Sequence, residues 1–316
     1  MLKIGITGAS GFLGVSLIQY LGRQARCQIR ALDRILRPEI LAEASYVAWQ
    51  TGDLASEEDC ARFVDGLDVI IHLAHTNTPL TSNHHLPSDA SLNLIPTLTL
   101  LEAIRKAQGR PHFIYPSSGG AVYGRPAEHR PFRESDGCQP VTSYGIQKLA
   151  AEHYIRLAAE SGWLSGTCLR IGNPYGVLLP PERKQGLIGV IFSQLVHHQP
   201  VTIFGDANNI RDYIHLEDVC SMFHTLLDRS GQFEIFNVGS GVGHSVKAIL
   251  DLLASLLGRK IEVRVEPANE DADKLVPWVV LDISKSAQCL RWQPTVTLEE
   301  GLARLCAECR ERIMAV

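Results

Sequence analysis

The sequence predicts an α/β fold, a doubly wound parallel sheet with a second, smaller mixed α/β domain, and three observations carry that prediction. Short apolar runs ending in Gly, Asp or Ser alternate with amphipathic helical stretches through most of the first 240 residues, the pattern of a parallel sheet covered on both faces. A glycine-rich turn, Gly8-Ala9-Ser10-Gly11-Phe12-Leu13-Gly14, stands between the first apolar run and the first helical stretch. The order then changes after Asn173: Pro174 to Lys184, with Pro180-Pro181, reads as an excursion from the sheet, and the residues after about Gly258 break into short strands and loops.

In chain order, strands are expected at Leu2 to Thr7, Gln28 to Leu32, Val69 to Leu73, His112 to Pro116, Thr167 to Ile171 and Glu234 to Val238. Helices are expected at Gly11 to Leu21, Ser91 to Ala107, Ser143 to Ser161, Glu217 to Leu227 and Val246 to Leu257, the last opened by Ser245 as N-cap. This divides the chain into a dinucleotide-binding domain over residues 1–175, to which 206–242 return, and a mainly substrate-binding part over 176–316.

Composition narrows the partners. At 316 residues with 45% hydrophobic content the chain can fill a substantial core. Its 30 basic and 34 acidic side chains give a net charge of −4 without a basic block, which argues against nucleic acid or an anionic membrane and for a small molecule. Apolar runs such as Leu98 to Ile104 are soon interrupted by charges, so no bilayer-spanning segment is expected. A strand-like start with no leader before it makes a soluble, cytoplasmic protein the expectation. The eight Cys follow no secreted framework and are expected reduced and mostly buried. Cys306-x-x-Cys309 has redox or metal spacing, but no second Cys/His pair accompanies it and it falls on a terminal helix. A structural role, and no metal site, is expected there.

The glycine turn gives the first chemistry. Glycines let backbone approach a pyrophosphate while a helix N-terminus presents N–H groups and its positive dipole end, so a Rossmann-type dinucleotide site is expected at Gly8, Gly11, Phe12, Leu13 and Gly14. The spacing is G-x-x-G-x-x-G rather than G-x-G-x-x-G. Asp33 closes the second strand 19 residues beyond Gly14, where a carboxylate accepts from adenosine ribose hydroxyls. That favours NAD over NADP, although Arg34 beside it is suited to a 2′-phosphate. Gly52-Asp53-Leu54 offers a carboxylate to the adenine amino group, and His72-Leu73-Ala74 ends a strand on the cofactor side.

Tyr144 and Lys148 lie four apart in Ser143-Tyr144-Gly145-Ile146-Gln147-Lys148, hence on one face of a helix. A phenol titrates near 10, so poising it near neutrality takes about three pKa units. A fixed ammonium and a cationic cofactor are the means. By itself Tyr-x-x-x-Lys is common on solvated helix faces; its surroundings give it weight.

With these residues assembled, the chain resembles the extended short-chain dehydrogenase/reductase family, and within it the nucleotide-sugar epimerases typified by UDP-glucose 4-epimerase. The resemblance covers nearly the whole length and rests on Gly8 to Gly14, Asp33, Gly52 to Leu54, His72 to Ala74, Asn93, Ser117 to Gly124, Tyr144/Lys148, Leu169 to Gly176, Arg211 to His215 and Asn237 to Gly241. It implies that Tyr144 is the catalytic base and that Lys148 bonds the nicotinamide ribose and lowers the phenol pKa. It also implies that Asn93 and Pro174 lie at the cofactor, and that Asn173 and Arg211 hold the substrate diphosphate, Arg through charge-assisted bonds. A homodimer through the helices at 91–107 and 143–161 is a further implication. The expected activity is NAD-dependent inversion of C4 in a nucleotide-activated hexose, with a 4-keto nucleotide-sugar reductase and a non-catalytic dinucleotide sensor or scaffold as alternatives.

Two departures bear on that expectation. Many epimerases carry the catalytic Ser or Thr three residues before Val in the Val122-Tyr123-Gly124 loop, and here that position is Gly119. Ser118 is the available hydroxyl, for catalysis and for substrate binding alike. Dehydratases and related decarboxylases usually place an acid just before that Val, whereas Gly120 and Ala121 exchange no proton, which disfavours elimination. In Asp271 to Pro277, alignment through Val276-Pro277 puts Ala272 and Leu275 where the family commonly has a diphosphate-clamping Arg and an Asp. Lys274 offers a point charge without bidentate geometry, and Glu270, Asp271 and Asp273 would oppose a phosphate.

Overall fold

A computed structural model describes residues 1–24, 27–35, 45–79, 81–178, 186–267 and 276–314. The chain begins β1 (Leu2–Thr7), α1 (Phe12–Gln24), β2 (Cys27–Asp33), β3 (Val47–Thr51), α2 (Glu57–Val64) and β4 (Val69–His72). A short α3 (Leu86–Asp89) runs through a π-helical turn (Ala90–Leu94) into α4 (Ile95–Lys106), followed by β5 (His112–Ser118), α5 (Ser143–Glu160) and β6 (Ser165–Ile171). Then come β7 (Asn173–Tyr175), α6 (Leu187–Val196), β8 (Val201–Phe204), β9 (Ile210–His215), α7 (Leu216–Thr225) and β10 (Phe233–Val238). Last are β11 (Gly243–Ser245), α8 (Val246–Leu257), β12 (Val263–Glu266), β13 (Trp278–Val279), α9 (Ser284–Leu290) and α10 (Leu298–Met314).

Seven strands form one parallel sheet in the order β10-β6-β5-β4-β1-β2-β3. Because both its faces are covered, its strands read as continuous apolar runs. In β4, Val69 and Ile71 join the core shared with Leu17, Ile18 and Leu21 of α1 and Val219 and Phe223 of α7. Ile70 between them joins the opposite core, with Phe63 of α2, Leu100 and Ile104 of α4 and Ile155 of α5. The chain winds outward from β1 to β3 and then restarts on the other side at β4. The carboxyl ends of β1 and β4 therefore flank a topological switch point, where an open α/β sheet leaves a crevice for a ligand.

The second part has a four-stranded sheet, β11-β9-β13 with β7 also paired to β9, and a two-stranded β12-β8 sheet. α6, α8 and α10 pack into a third core that includes Phe192, Ile249, Leu253, Leu302 and the thiols of Cys306 and Cys309. Of residues 206–242, α7 and β10 belong to the large sheet and its core, whereas β9 belongs to the small one. The doubly wound fold is as expected, and Ser245 does cap α8, its hydroxyl accepting from Ala248 N at 3.0 Å. β3, α2, α6, β7 and β8 lie outside the expectation, and the stretch after Gly258, expected as short strands and loops, also carries the helices α9 and α10. β3 is a half-exposed edge strand, and α2 is a largely polar helix whose N-cap Ser56 accepts from Asp59 N. All eight thiols are free; Cys289 is exposed and Cys138 half-buried, the rest buried. Among the described residues no helix is long and apolar enough to cross a membrane.

Candidate active site

The loop from β1 to α1 lies in the crevice and is shaped by contacts that only glycine permits. Gly8 has φ +66°, and a Cβ there would stand 2.7 Å from backbone atoms of Ala74, just beyond β4. A Cβ on Gly14 would stand 2.6 Å from the carbonyl oxygens of Gly8 and Ala9. Leu73 and Ala74 are tied to the end of β1, Leu73 N donating to Thr7 O at 3.1 Å and Ala74 N to Thr7 Oγ1 at 3.3 Å. Asp33, at the carboxyl end of β2, accepts from Ser10 N at 2.9 Å and from Arg34 N at 2.8 Å, so its carboxylate stands directly beside the loop. A glycine-rich turn at a helix start, flanked by an anchored carboxylate, fits the pyrophosphate and ribose of a dinucleotide.

Other residues expected at the cofactor have local partners. Asp53 N donates to Asp59 Oδ2 at 2.8 Å and Asp53 Oδ1 accepts from Ala55 N at 2.9 Å, while Leu54 is buried in the core. Asn93 is buried in the π-helical turn: its Nδ2 donates to Asp89, and its Oδ1 accepts from both the N and the Oγ1 of Thr76. That amide holds the loop after β4 in place.

Tyr144 and Lys148 occupy the start of α5, which is fixed by side chains from the loop between β4 and α3. Ser143 N donates to Asn83 Oδ1 at 2.8 Å, Tyr144 N to Ser82 Oγ at 3.0 Å, and Gly145 N to the N-cap Thr142 Oγ1 at 3.2 Å. Asp89, fully buried, gathers Asn77 Nδ2, Asn93 Nδ2, Ser143 Oγ and Gln147 Nε2 on one carboxylate. Asp89 thereby locks α5 to the segment that follows β4. Its sequence signal was the i, i+4 pair with Asn93, which by itself does not reveal contacts 54 and 58 residues away.

Lys148 Nζ donates to Pro116 O at 2.9 Å and lies 4.6 Å from the ring centre of Tyr115 and 5.6 Å from that of Tyr144. Burial draws its ammonium down to about 7, against the opposing fields of Cys168 and Glu152. Burial pushes the Tyr144 phenol up to about 12, and the group that lowers it is the Ser118 side chain, hydrogen-bonded to it. Within the polypeptide, desolvation is the largest influence on the phenol and the Ser118 hydrogen bond the one that opposes it. A Cβ on Gly119 would stand 2.7 Å from Leu281 Cδ1 and 3.1 Å from Arg170 O, so a Ser or Thr here requires the Leu281 side chain to shift. The hydroxyl stands one residue earlier, on Ser118. Under the site, the buried pair Arg170–Glu152 at 2.7 Å receives Ser117 Oγ on Glu152, and Arg170 lies 4.8 Å over Tyr123.

The small sheet brings together the residues expected at the substrate. Cross-strand partners share a face and alternate residues along a strand share a face. The register pairs Arg211 with His244 and Val279, and Tyr213 with Asn173, so Asn173, Tyr213, Arg211 and His244 stand on one face. Arg211 is half-buried, its Nη1 donates to Ile210 O at 2.8 Å, and burial pulls its guanidinium below the ordinary value. Asp212, on the opposite face and fully buried, accepts from Ser240 N and Oγ, Gly241 N and Leu281 N. Pro174 lies in β7 beside Ile214. Pro180-Pro181 and the Glu270 to Leu275 positions, Ala272 and Lys274 included, lie outside the described residues.

The sequence profile of the NAD dependent epimerase/dehydratase family matches residues 4–239. The chain belongs to that family. It is an NAD-dependent enzyme of the nucleotide-sugar epimerase group. A relative from Escherichia coli, dTDP-4-dehydro-6-deoxyglucose reductase, is 30% identical over 95% of each chain. The structure of UDP-glucose 4-epimerase from Thermotoga maritima with UDP-glucose superposes with a TM-score of 0.89 at 28% identity, over 98% of this chain and 99% of the other. That of the Thermus thermophilus UDP-glucose 4-epimerase with NAD gives 0.87 at 26% identity over the same shares.

Proposed function

We propose that the protein inverts C4 of a nucleotide-activated hexose, UDP-linked, through a transient 4-keto sugar. The observation that carries this reading is the phenol of Tyr144 hydrogen-bonded to Ser118 beside Lys148, at the switch-point crevice, with Gly119, Gly120 and Ala121 offering no acid for elimination. Bound NAD supplies a hydride acceptor, and then donor, at the sugar carbon. Tyr144 takes the 4-hydroxyl proton and returns it once the keto sugar has turned its other face. Ser118 holds the reacting oxygen, and Lys148 holds the nicotinamide ribose. Gly8, Gly11, Phe12, Leu13 and Gly14 cradle the pyrophosphate, and Asp33 accepts from the adenosine ribose. Arg211 and Asn173 hold the diphosphate of the substrate, the guanidinium having no carboxylate partner among the described residues. The E. coli relative favours a second reading, reduction of a 4-keto nucleotide sugar.

Incubation with a panel of UDP-hexoses, with and without added NAD, followed by NMR of C4 configuration, separates the two. Inversion without net change in NADH supports the epimerase; stoichiometric consumption of reduced dinucleotide supports the reductase. A homodimer is part of the proposal: Ile95 on α4 and Ile146, Tyr154 and Leu157 along one face of α5 are 43–56% exposed, an apolar surface suited to a second copy. Sedimentation at micromolar concentration tests it. A cytoplasmic place and supply of sugar for surface polysaccharide complete the reading.

A further inference from the structure

One side chain that none of the motifs brings forward touches the phenol directly. His75 follows the His72-Leu73-Ala74 triplet, and its ring stands 4.9 Å from that of Tyr144, the planes at 88°. Its Nε2 is buried and has no hydrogen-bond partner among the described residues. Leaving a buried polar atom unpaired is costly, and a phenylalanine would fill the same place without that cost. A perpendicular ring pair sets the electropositive edge of one ring on the electron-rich face of the other. If the His75 edge is directed at Tyr144, the Nε2–H finds its acceptor in the π-face of the phenol; the opposite arrangement leaves it none.

We infer that His75 is a positioning residue for Tyr144, its neutral imidazole donating Nε2–H to the face of the phenol ring, fixing that ring in the crevice and favouring the phenolate. This rests on the proposed role of Tyr144 as the base. Ionisation enriches the ring in electrons, so the N–H contact is stronger to the phenolate than to the phenol. The groups about the pair are Lys148 on the helix of Tyr144, with Glu152 acting on Lys148 and Tyr115; Ser118 and Tyr115 from β5 beside the phenol; and His72 from β4 beside His75. Burial, then Lys148 and His72, hold the His75 imidazole well below its ordinary pKa, so His75 stays neutral while the phenol titrates.

The test is a phenolate titration of the NAD-loaded protein by ultraviolet absorbance, with Tyr144→Phe subtracted as background, in wild type and His75→Phe. In His75→Phe the ionisation constant of the phenol is expected to fall about threefold. Its Tm should be equal or higher, and kcat at neutral pH should fall by a similar factor and recover at higher pH, with KM unchanged. Should phenylalanine not be accommodated, His75→Leu carries the same titration. The titration uses no sugar, so it reads the inference even if no UDP-hexose is inverted. An unchanged phenol titration in the folded variant overturns it.

Discussion

The two ends of the crevice are built on different principles. At the dinucleotide end the work falls to backbone: Gly8 and Gly14 leave no room for a Cβ, and Asp33 is oriented by two backbone N–H groups. On the small sheet it falls to side chains, and adjacent residues divide the labour. Asp212 ties β9 to the Ser240-Gly241 turn and to Leu281, while Arg211 on the other face makes, among the described residues, a single bond to the neighbouring carbonyl. Stability and binding should thus be inseparable at the first end and separable at the second.

The largest effect is expected between the two, where α5 presents its phenol. Tyr144→Phe should lower turnover by at least about 100-fold, the usual scale for a positioned general base, with little change in NAD affinity. Steady-state kinetics and dinucleotide titration check both halves. Arg211→Ala should weaken nucleotide-sugar binding by about 10- to 100-fold, the worth of a charge-assisted bond, and leave Tm unchanged. Arg211→Lys should recover only part of that, since an ammonium lacks the planar fork. Calorimetric titration with UDP and thermal melts together read the separation. Gly14→Ala should lower NAD affinity and Tm at once, by about tenfold and a few degrees, as overpacking of about 1–3 kcal/mol spreads into the loop. A loss of NAD affinity with an unchanged Tm would break the contrast.

The most gradual effect, spread over several pH units, concerns Lys148, whose pKa is drawn from 10.5 to about 7 in the fold. Between those values the unfolded chain binds the proton and the folded one has released it. The free energy of unfolding therefore rises with pH across this window, by at most about 1.4 kcal/mol per pH unit. Lys148→Met should remove that slope. Urea unfolding of both proteins between pH 7 and 10 measures the difference, and the other titrating groups cancel in the comparison.

The same contrast explains what the sequence disclosed. The β1 turn, Asp33 and the Tyr144/Lys148 face are local: each is set by spacing within one turn or one strand, so each is legible in the sequence alone. The fold class is legible for the same reason, through apolar runs that reflect a sheet buried on both faces. Asp89, Ser82 and Asn83 are not, because they act on α5 from some 60 residues away and look like ordinary loop polars. Gly119 looks like a missing hydroxyl; that Leu281, 162 positions later, packs against it is not legible in the local pattern. His75 gives no local signal, because nothing in its immediate neighbours points to Tyr144. The shared face of Asn173, Arg211 and His244 depends on strand register, which local pattern does not fix.

In the proposed reaction, hydride leaves C4 and returns to the same carbon within one bound substrate. This return is tested most directly with a UDP-hexose carrying deuterium at C4, incubated with the protein and no added dinucleotide, and followed by NMR and mass spectrometry. The result expected is inversion at C4 with the deuterium kept on C4 of the same molecule and no reduced dinucleotide accumulating. Loss of the label to solvent or to free dinucleotide, or a net demand for reduced dinucleotide, would rule out C4 inversion by this route.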